Sequence, residues 1–170
     1  MIAAVVLAAG ASTRYRRPKQ RELLPAVLDA LALAPVDDVV VVSGAHALDL
    51  GTLDLGDGKQ ARLVHAADWA SGPGASLRRG LAALDDEVTH ALVVLSDGPA
   101  LDPRAVVRVI EQRERGPVVA ATYDGTRSHP VALARSAWAA VPDDGGRAFE
   151  PVLIDCSDLE PPGDVDYPPV

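Results

Sequence analysis

Apolar positions along the chain fall into short unbroken runs, separated by stretches in which they recur every three or four residues. Ile2 to Ala8 is the first run, bounded by Gly10, and it predicts a strand buried on both faces, as in a parallel sheet. Leu23 to Leu33 predicts a helix, with Pro25 tolerable only in its first turn. Asp38 to Ser43 predicts a second buried strand. Gly44 to Gly58 is glycine-rich and reads mostly as loop, with a short helical stretch at Ala45 to Leu50. Ala61 to His65 predicts a short strand, and the turn formers of Trp69 to Gly74 lead into an amphipathic helix at Ala75 to Leu84.

His90 to Leu95 is another buried strand, ending in Ser96-Asp97-Gly98-Pro99. Asp102 as N-cap and Pro103 at the first helical position start a helix running to Arg115. Val118 to Thr122 and Ser128 to Leu133 flank Asp124-Gly125 as a hairpin. Ala134 to Val141, with Trp138, and Ala148 to Leu153 read as short helices, and from Asp155 the tail is Pro-rich and acidic. Strands alternating with helices and the absence of a linker or repeat predict one domain over residues 1–170, a three-layer α/β fold with a mainly parallel sheet. Ligands of such sheets bind beyond the carboxyl ends of the strands, at a switch in strand order. The loop Ala9 to Lys19, the strand end Ser96 to Pro99 and the loop Gly72 to Ser76 are therefore expected on one edge of the sheet.

Composition narrows the partners. Aromatics are 4% against 48% hydrophobic residues, so the core is built from Ala, Val and Leu. Acidic residues outnumber basic ones, 24 to 16, and the net charge of -8 argues against nucleic acid as a partner. Cys156 is the sole cysteine, which excludes an intrachain disulfide and a cysteine-based zinc site and suits a reducing cytoplasm. No charged leader opens the chain and no apolar stretch nears the roughly 20 residues that span a bilayer. The expectation is a cytoplasmic protein without a membrane partner.

Against this acidic background Arg14, Arg16, Arg17, Lys19 and Arg21 form a local cluster of cations directly after the first strand. A buried strand that empties into small residues and then cations is a common phosphate-holding arrangement, because backbone N–H groups can approach the anion and the cations neutralise it. A solvated basic turn is the plain alternative. The loop lacks the second and third glycines of a dinucleotide fingerprint and is not a Walker loop. It reads Leu7-Ala8-Ala9-Gly10-Ala11-Ser12-Thr13-Arg14, followed by Lys19.

That order resembles the signature loop of the MobA/MocA-like nucleotidyltransferases of molybdenum-cofactor maturation and related sugar-nucleotide pathways. The resemblance continues in order over nearly the whole chain. GPGASLRRGLAAL, Gly72 to Leu84, is similar to the family's nucleobase-side segment, and SDGP, Ser96 to Pro99, to its metal-holding Asp-x-Pro. Ser128-His129-Pro130-Val131 resembles the Gly-His-Pro-Val strand, DDGGRAF the Gly-Asp-x-Gly-x-Arg loop, and GDVDYPPV the closing Asp-x-Asp-Thr-Pro segment. LAAG, SLRRGL and HPV together are most similar to the MocA-like CTP:molybdopterin cytidylyltransferases, whereas guanylyl-transferring relatives more often have LAGG. The chain departs from the pattern at Arg16, where the family has Gly, in the shortened segment after Lys19, at Gly98 and at the C-terminal ending.

The resemblance implies a Rossmann-like nucleotide-diphospho-sugar transferase fold, α/β/α in layers, and transfer of a nucleoside monophosphate with release of pyrophosphate. CTP is the favoured donor and a phosphorylated acceptor such as molybdopterin the partner, with a molybdoenzyme as a further protein partner. By the same resemblance Leu7, Ala8, Ala9, Gly10, Ser12, Arg14, Lys19, Gly72 and Ser76 bind the nucleotide, and Arg14, Lys19 and Asp97 are catalytic. Asp97 holds Mg²⁺ with Asp164 or Asp166, hard oxygen ligands that suit the ion. Such a reaction needs positioning and charge neutralisation rather than a general base, since the acceptor phosphate is already anionic. His129 reads as a structural hydrogen-bonding residue. Two rivals are an oxidoreductase of small aromatic or quinone-like compounds and a non-catalytic maturation or binding protein; Lys19 and Asp97 favour transfer.

Overall fold

The structure is a computed structural model and describes residues 1–10, 20–48, 53–56 and 58–164. Its elements in order are β1 (Ile2–Ala8), α1 (Gln20–Ala32), β2 (Asp38–Ser43), β3 (Leu53–Asp54), β4 (Gln60–His65), α2 (Pro73–Ala82), β5 (His90–Leu95), α3 (Pro103–Glu111), β6 (Val118–Tyr123), β7 (Thr126–Ala134) and β8 (Val152–Asp155). Among the described residues the strands form one sheet in the order β3-β4-β2-β1-β5-β7-β6-β8. β4, β2, β1 and β5 are parallel, β7 runs antiparallel to both of its neighbours, and β8 returns parallel to β6.

Period-two alternation in the buried strands creates the three layers. Ala4, Val6, Val39, Val41, Leu92 and Val94 meet α1 and α3 on one face. Ala3, Val5, Val40, Val42, Ala91 and Val93 meet α2 on the other. Both faces are covered by helices, which is why these strands read as continuous apolar runs. Among the described residues no helix is long and apolar enough to cross a membrane.

Several local expectations change. α1 starts at Gln20, so Pro25 sits at its sixth residue and not in the first turn. A proline inside a helix costs about 3 kcal/mol, but Pro25 lies on the exposed side. Leu24, Val27, Leu28 and Leu31 form the opposite, fully buried stripe. Burying such side chains gains roughly 1.5–3 kcal/mol each, which outweighs the proline.

The helix expected at Ala148 to Leu153 is replaced by β8, because Pro151 blocks a helix there and Val152 and Ile154 alternate with exposed Leu153 and Asp155 while pairing with β6. Ala45 to Leu48 is not helical: Ala45 N–H is committed to the Ala9 carbonyl at 3.1 Å. The helix expected to reach Arg115 is α-helical only to Glu111, followed by a 3-10 turn at Arg113–Arg115. Arg135–Ala140 is likewise a 3-10 helix rather than an α-helix. α2 starts at Pro73, earlier than expected, where the proline suits a first turn.

Candidate active site

The end of β1 is wedged between two neighbouring strand ends. Ser96 N–H donates to the Leu7 carbonyl at 3.1 Å, tying the end of β5 to β1. On the other side Ala45 N–H donates to the Ala9 carbonyl, and a Cβ at Gly44 would lie 2.7 Å from Trp69 Cβ and 2.8 Å from Ala9. The small Ala8 and Ala9 are thus required by packing, both being buried, while Gly10 emerges into solvent. From β1 the chain moves to β2 on one side, and it later returns to β5 on the other, so this is the switch point of the sheet. Ser12, Arg14 and Lys19, with Arg16 and Arg17, lie outside the described residues, as does Asp166.

The described parts of the three loops share this carboxyl edge, as their strand directions require. α2 begins there with Gly72 as N-cap at φ 120° and Pro73 at the first position. Its first turn is covered by a neighbouring loop: Gly74 N–H donates to the Asp143 carbonyl at 3.0 Å. Arg78 adds bonds to the Val141 carbonyl and to Asp143, each 2.9 Å. Farther along, a Cβ at Gly80 would strike Val5 Cγ1 at 2.5 Å and Val42 Cγ2 at 2.8 Å, which fixes α2 against β1 and β2. Ser76 is buried in the same first turn. Gly72 therefore has a structural reason of its own, and Ser76 lies beneath the edge.

Asp97 follows β5 in a tight turn, partly buried, and Gly98 after it is overlaid by the tail. A Cβ at Gly98 would stand 3.1 Å from Pro162 Cβ and 3.3 Å from the Gly163 carbonyl oxygen, while Ala100 N–H donates to the Pro162 carbonyl at 3.1 Å. The departure at Gly98 thus has a cause: the absent side chain lets the tail cross. Asp164 is consequently brought to the border of the same recess. Among the described residues no three His, Cys, Asp or Glu gather into a metal cage. The donor chemistry still fits Mg²⁺ or Mn²⁺, since a magnesium ion is usually held by one or two carboxylates and substrate phosphates.

Beyond Asp97 a cavity of about 380 Å³ opens between β5 and β7. Pairing of the two strands stops at Val93↔Val131, and farther on they diverge. The cavity floor is β7, and its outer wall is the loop 145–149. Arg127 holds that loop from below, with Nη1 donating to the Phe149 carbonyl at 2.8 Å and Nη2 to the Gly146 carbonyl at 3.1 Å. Arg147, exposed, lines the rim. Sequence reasoning assigned no role to Arg127 or Arg147. Arg147 stood inside the quoted DDGGRAF, and the available signal for Arg127 was a cation within a strand, just before His129-Pro130.

His129 lines the cavity too. Burial pushes its pKa down to about 4, opposed by the charge of Asp97 and reinforced by that of Arg127. The Tyr123 hydroxyl donates to the His129 carbonyl at 3.3 Å, and burial pushes that phenol up to about 12. The imidazole is therefore neutral near pH 7. A folded pKa below the unfolded 6.5 means the unfolded chain binds more protons between these values. His129 thus contributes stability that is present above about pH 6.5 and lost as pH falls towards 4. Between about pH 7 and pH 5.5 this term should remove about 1 kcal/mol. Denaturant titrations of wild type and His129→Gln check it: equal pH slopes would show that the residue is not buried neutral.

The family profile of the MobA-like NTP transferase domain matches residues 4–147. The chain belongs to this family. Its reaction class is nucleotidyl transfer from a nucleoside triphosphate. Among solved structures, this MobA-like domain is similar to Rv0371c from Mycobacterium tuberculosis H37Rv. The identity is 25%, the match covers 98% of this chain and 94% of that one, and the TM-score is 0.76. A manganese complex of Rv0371c from the same organism is 23% identical, with 91% and 87% of the chains covered and a TM-score of 0.67. A nucleotidyl transferase from Methanothermobacter thermautotroptrophicus, Mth528, is 24% identical, with 82% and 74% covered and a TM-score of 0.63. No curated protein matches the chain.

Proposed function

We propose that this MobA-like domain transfers CMP from CTP to a phosphorylated acceptor of the molybdopterin type, in a Mg²⁺-dependent reaction in the cytoplasm. The observation that supports this most is the junction of the two motif-bearing strand ends. The 3.1 Å bond from Ser96 to Leu7 sets the start of the signature loop beside the Asp97 turn, at the switch point where nucleotides bind in open α/β sheets. CTP is favoured over GTP by the LAAG sequence of Leu7 to Gly10.

In this reading an acceptor phosphate oxygen forms a bond to the α-phosphorus while the bond to the β-phosphate oxygen breaks, and pyrophosphate leaves with that electron pair. Backbone N–H groups at Ala9 and Gly10, with Ser12, Arg14 and Lys19, hold the triphosphate oxygens. Gly72 and Ser76 border the base. Asp97 holds Mg²⁺, with Asp164 or Asp166, and the ion supplies charge neutralisation of the phosphates. The manganese complex of Rv0371c agrees with a divalent ion on this fold.

Thermal shifts with CTP, GTP, ATP, UTP and NADPH, with and without Mg²⁺, test the reading. At about 100 times its dissociation constant CTP with Mg²⁺ should add roughly 2.7 kcal/mol of stability. For a domain of this size that is roughly 5–10 °C in Tm. A shift with NADPH and none with any nucleotide would favour the oxidoreductase rival and discard transfer.

A further inference from the structure

Beyond β8 the chain turns back and crosses the Asp97 turn. Cys156 N–H donates to the Thr122 carbonyl at 2.8 Å and Leu159 N–H to the Cys156 carbonyl at 2.9 Å, and both side chains are buried. Pro162 is buried at the crossing. Its carbonyl accepts from Ala100 N–H at 3.1 Å, and a Cβ at Gly98 would stand 3.3 Å from the Gly163 carbonyl oxygen. The residue after Asp97 and the residue before Asp164 are thus neighbours in space, and Gly98, Gly163 and Asp164 border one cavity.

The turn 156–159 that leads to this crossing is held from α3. Arg108 Nη1 donates to the Asp155 carbonyl at 2.8 Å and to Asp158 Oδ1 at 2.6 Å, and Nη2 donates to Asp158 Oδ2 at 3.0 Å. A bidentate pair of this kind fixes orientation as well as distance. Arg104, one turn earlier on the same helix, takes no part, because it is paired with Asp102, the N-cap of α3. The Asp158 side chain is 63% exposed and that of Arg108 34%, so their pair adds little to global stability. Its effect is local: it fixes the point from which the chain sets out towards Gly98.

From this arrangement we infer that Arg108 is a positioning residue of the divalent-ion site, acting through Asp158 to hold the segment 156–164 across the Asp97 turn and so to set Asp164 beside it. The inference rests on the transfer reading, in which Asp97 and Asp164 hold the ion. Charge alone predicts the opposite sign. Arg108 is a cation, so by Coulomb's law its removal favours a bound cation. Loosening a segment that carries a ligand instead weakens the ion, because the ligand must be ordered again on binding.

Mn²⁺ binding to the full chain, read by electron paramagnetic resonance with and without CTP, tests it, together with hydrogen exchange at the Ala100 amide. Arg108→Ala should weaken Mn²⁺ about fivefold, the factor that corresponds to the upper worth of an exposed ion pair, and should leave CTP affinity without metal unchanged. Asp158→Ala should match it, and the double variant should be no weaker than either single one. Arg104→Ala, which removes the same charge from the same helix, should not weaken Mn²⁺. In Arg108→Ala the Ala100 amide should exchange about fivefold faster, since its acceptor is the Pro162 carbonyl. Unchanged or tighter Mn²⁺ binding in Arg108→Ala, unchanged exchange at Ala100, or losses that add in the double variant overturn the inference. If wild type binds no Mn²⁺ with CTP present, the transfer reading falls and the ion-site role of Arg108 with it. If Asp97→Ala loses Mn²⁺ and Arg108→Ala does not, the inference alone falls.

Discussion

Asp97→Ala is expected to reduce metal-dependent pyrophosphate release by at least about a hundredfold, while the domain stays folded. The rate effect follows from position: Asp97 stands in the turn after β5, one residue from Ser96, whose N–H holds the Leu7 carbonyl at 3.1 Å. On the proposed transfer reading a carboxylate there would anchor a divalent ion against the triphosphate, and loss of one preorganised electrostatic contact at a reacting phosphate typically costs roughly 10²–10³ in rate. Asp97→Asn, which retains the shape and loses the charge, should fall nearly as far. Neither variant should lose much stability, because Asp97 is only partly buried and lies outside the packed strand.

An independent signal accompanies the rate. The negative charge of Asp97 raises the pKa of His129 against the stronger lowering by burial, so its removal should move the imidazole pKa lower still. That displacement, read by NMR titration, reports the variant's local electrostatics separately from turnover. Unchanged pyrophosphate release in Asp97→Ala would remove this residue from the mechanism.

The parts of the fold that could be read in advance are those whose partners impose a repetitive pattern. β1, β2 and β5 are covered on both faces, so Val5, Val40 and Val93 on one side and Val6, Val41 and Val94 on the other leave no polar position between them. Such runs announce a parallel, helix-covered sheet, and the three-layer fold follows. β8 could not be recognised in this way. Val152 and Ile154 form a stretch too short to reveal its period, and only the partner strand β6 makes it a strand.

Pro25 was misplaced for the same reason, because the burial of Leu24, Leu28 and Leu31 that stabilises α1 around it is tertiary. The site divides similarly. Asp97 and the β1 exit were legible as motifs. The cavity was not, since it exists only where β5 and β7 separate after Val93↔Val131. Gly98 departs from the family's pattern, and the reason is tertiary: Pro162 and Gly163 pass over the turn there.

Gly74→Ala should be the most destabilising alanine substitution among the described glycines, at about 3 kcal/mol. A Cβ at Gly74 would sit 2.0 Å from the Pro142 carbonyl oxygen and 2.8 Å from Asp143 Cα and carbonyl carbon. These are backbone atoms, so no rotamer change relieves the clash. At Gly80, by contrast, the nearest atoms are valine methyl groups. Either α2 withdraws its first turn or the loop carrying Pro142 and Asp143 moves out, and the 3.0 Å bond from Gly74 N–H to the Asp143 carbonyl is lost in both cases.

Overpacking of this kind costs about 1–3 kcal/mol, with backbone clashes at the upper end. For a domain of this size the melting temperature should fall by roughly 10 °C. Arg78→Ala is the comparison: it loses an exposed ion pair with Asp143 worth no more than about 1 kcal/mol and a bond to the Val141 carbonyl worth about 1 kcal/mol, with no backbone clash. Stability within about 0.5 kcal/mol of wild type, the usual range for neutral surface changes, would mean that α2 and the 141–147 loop are not held together as described.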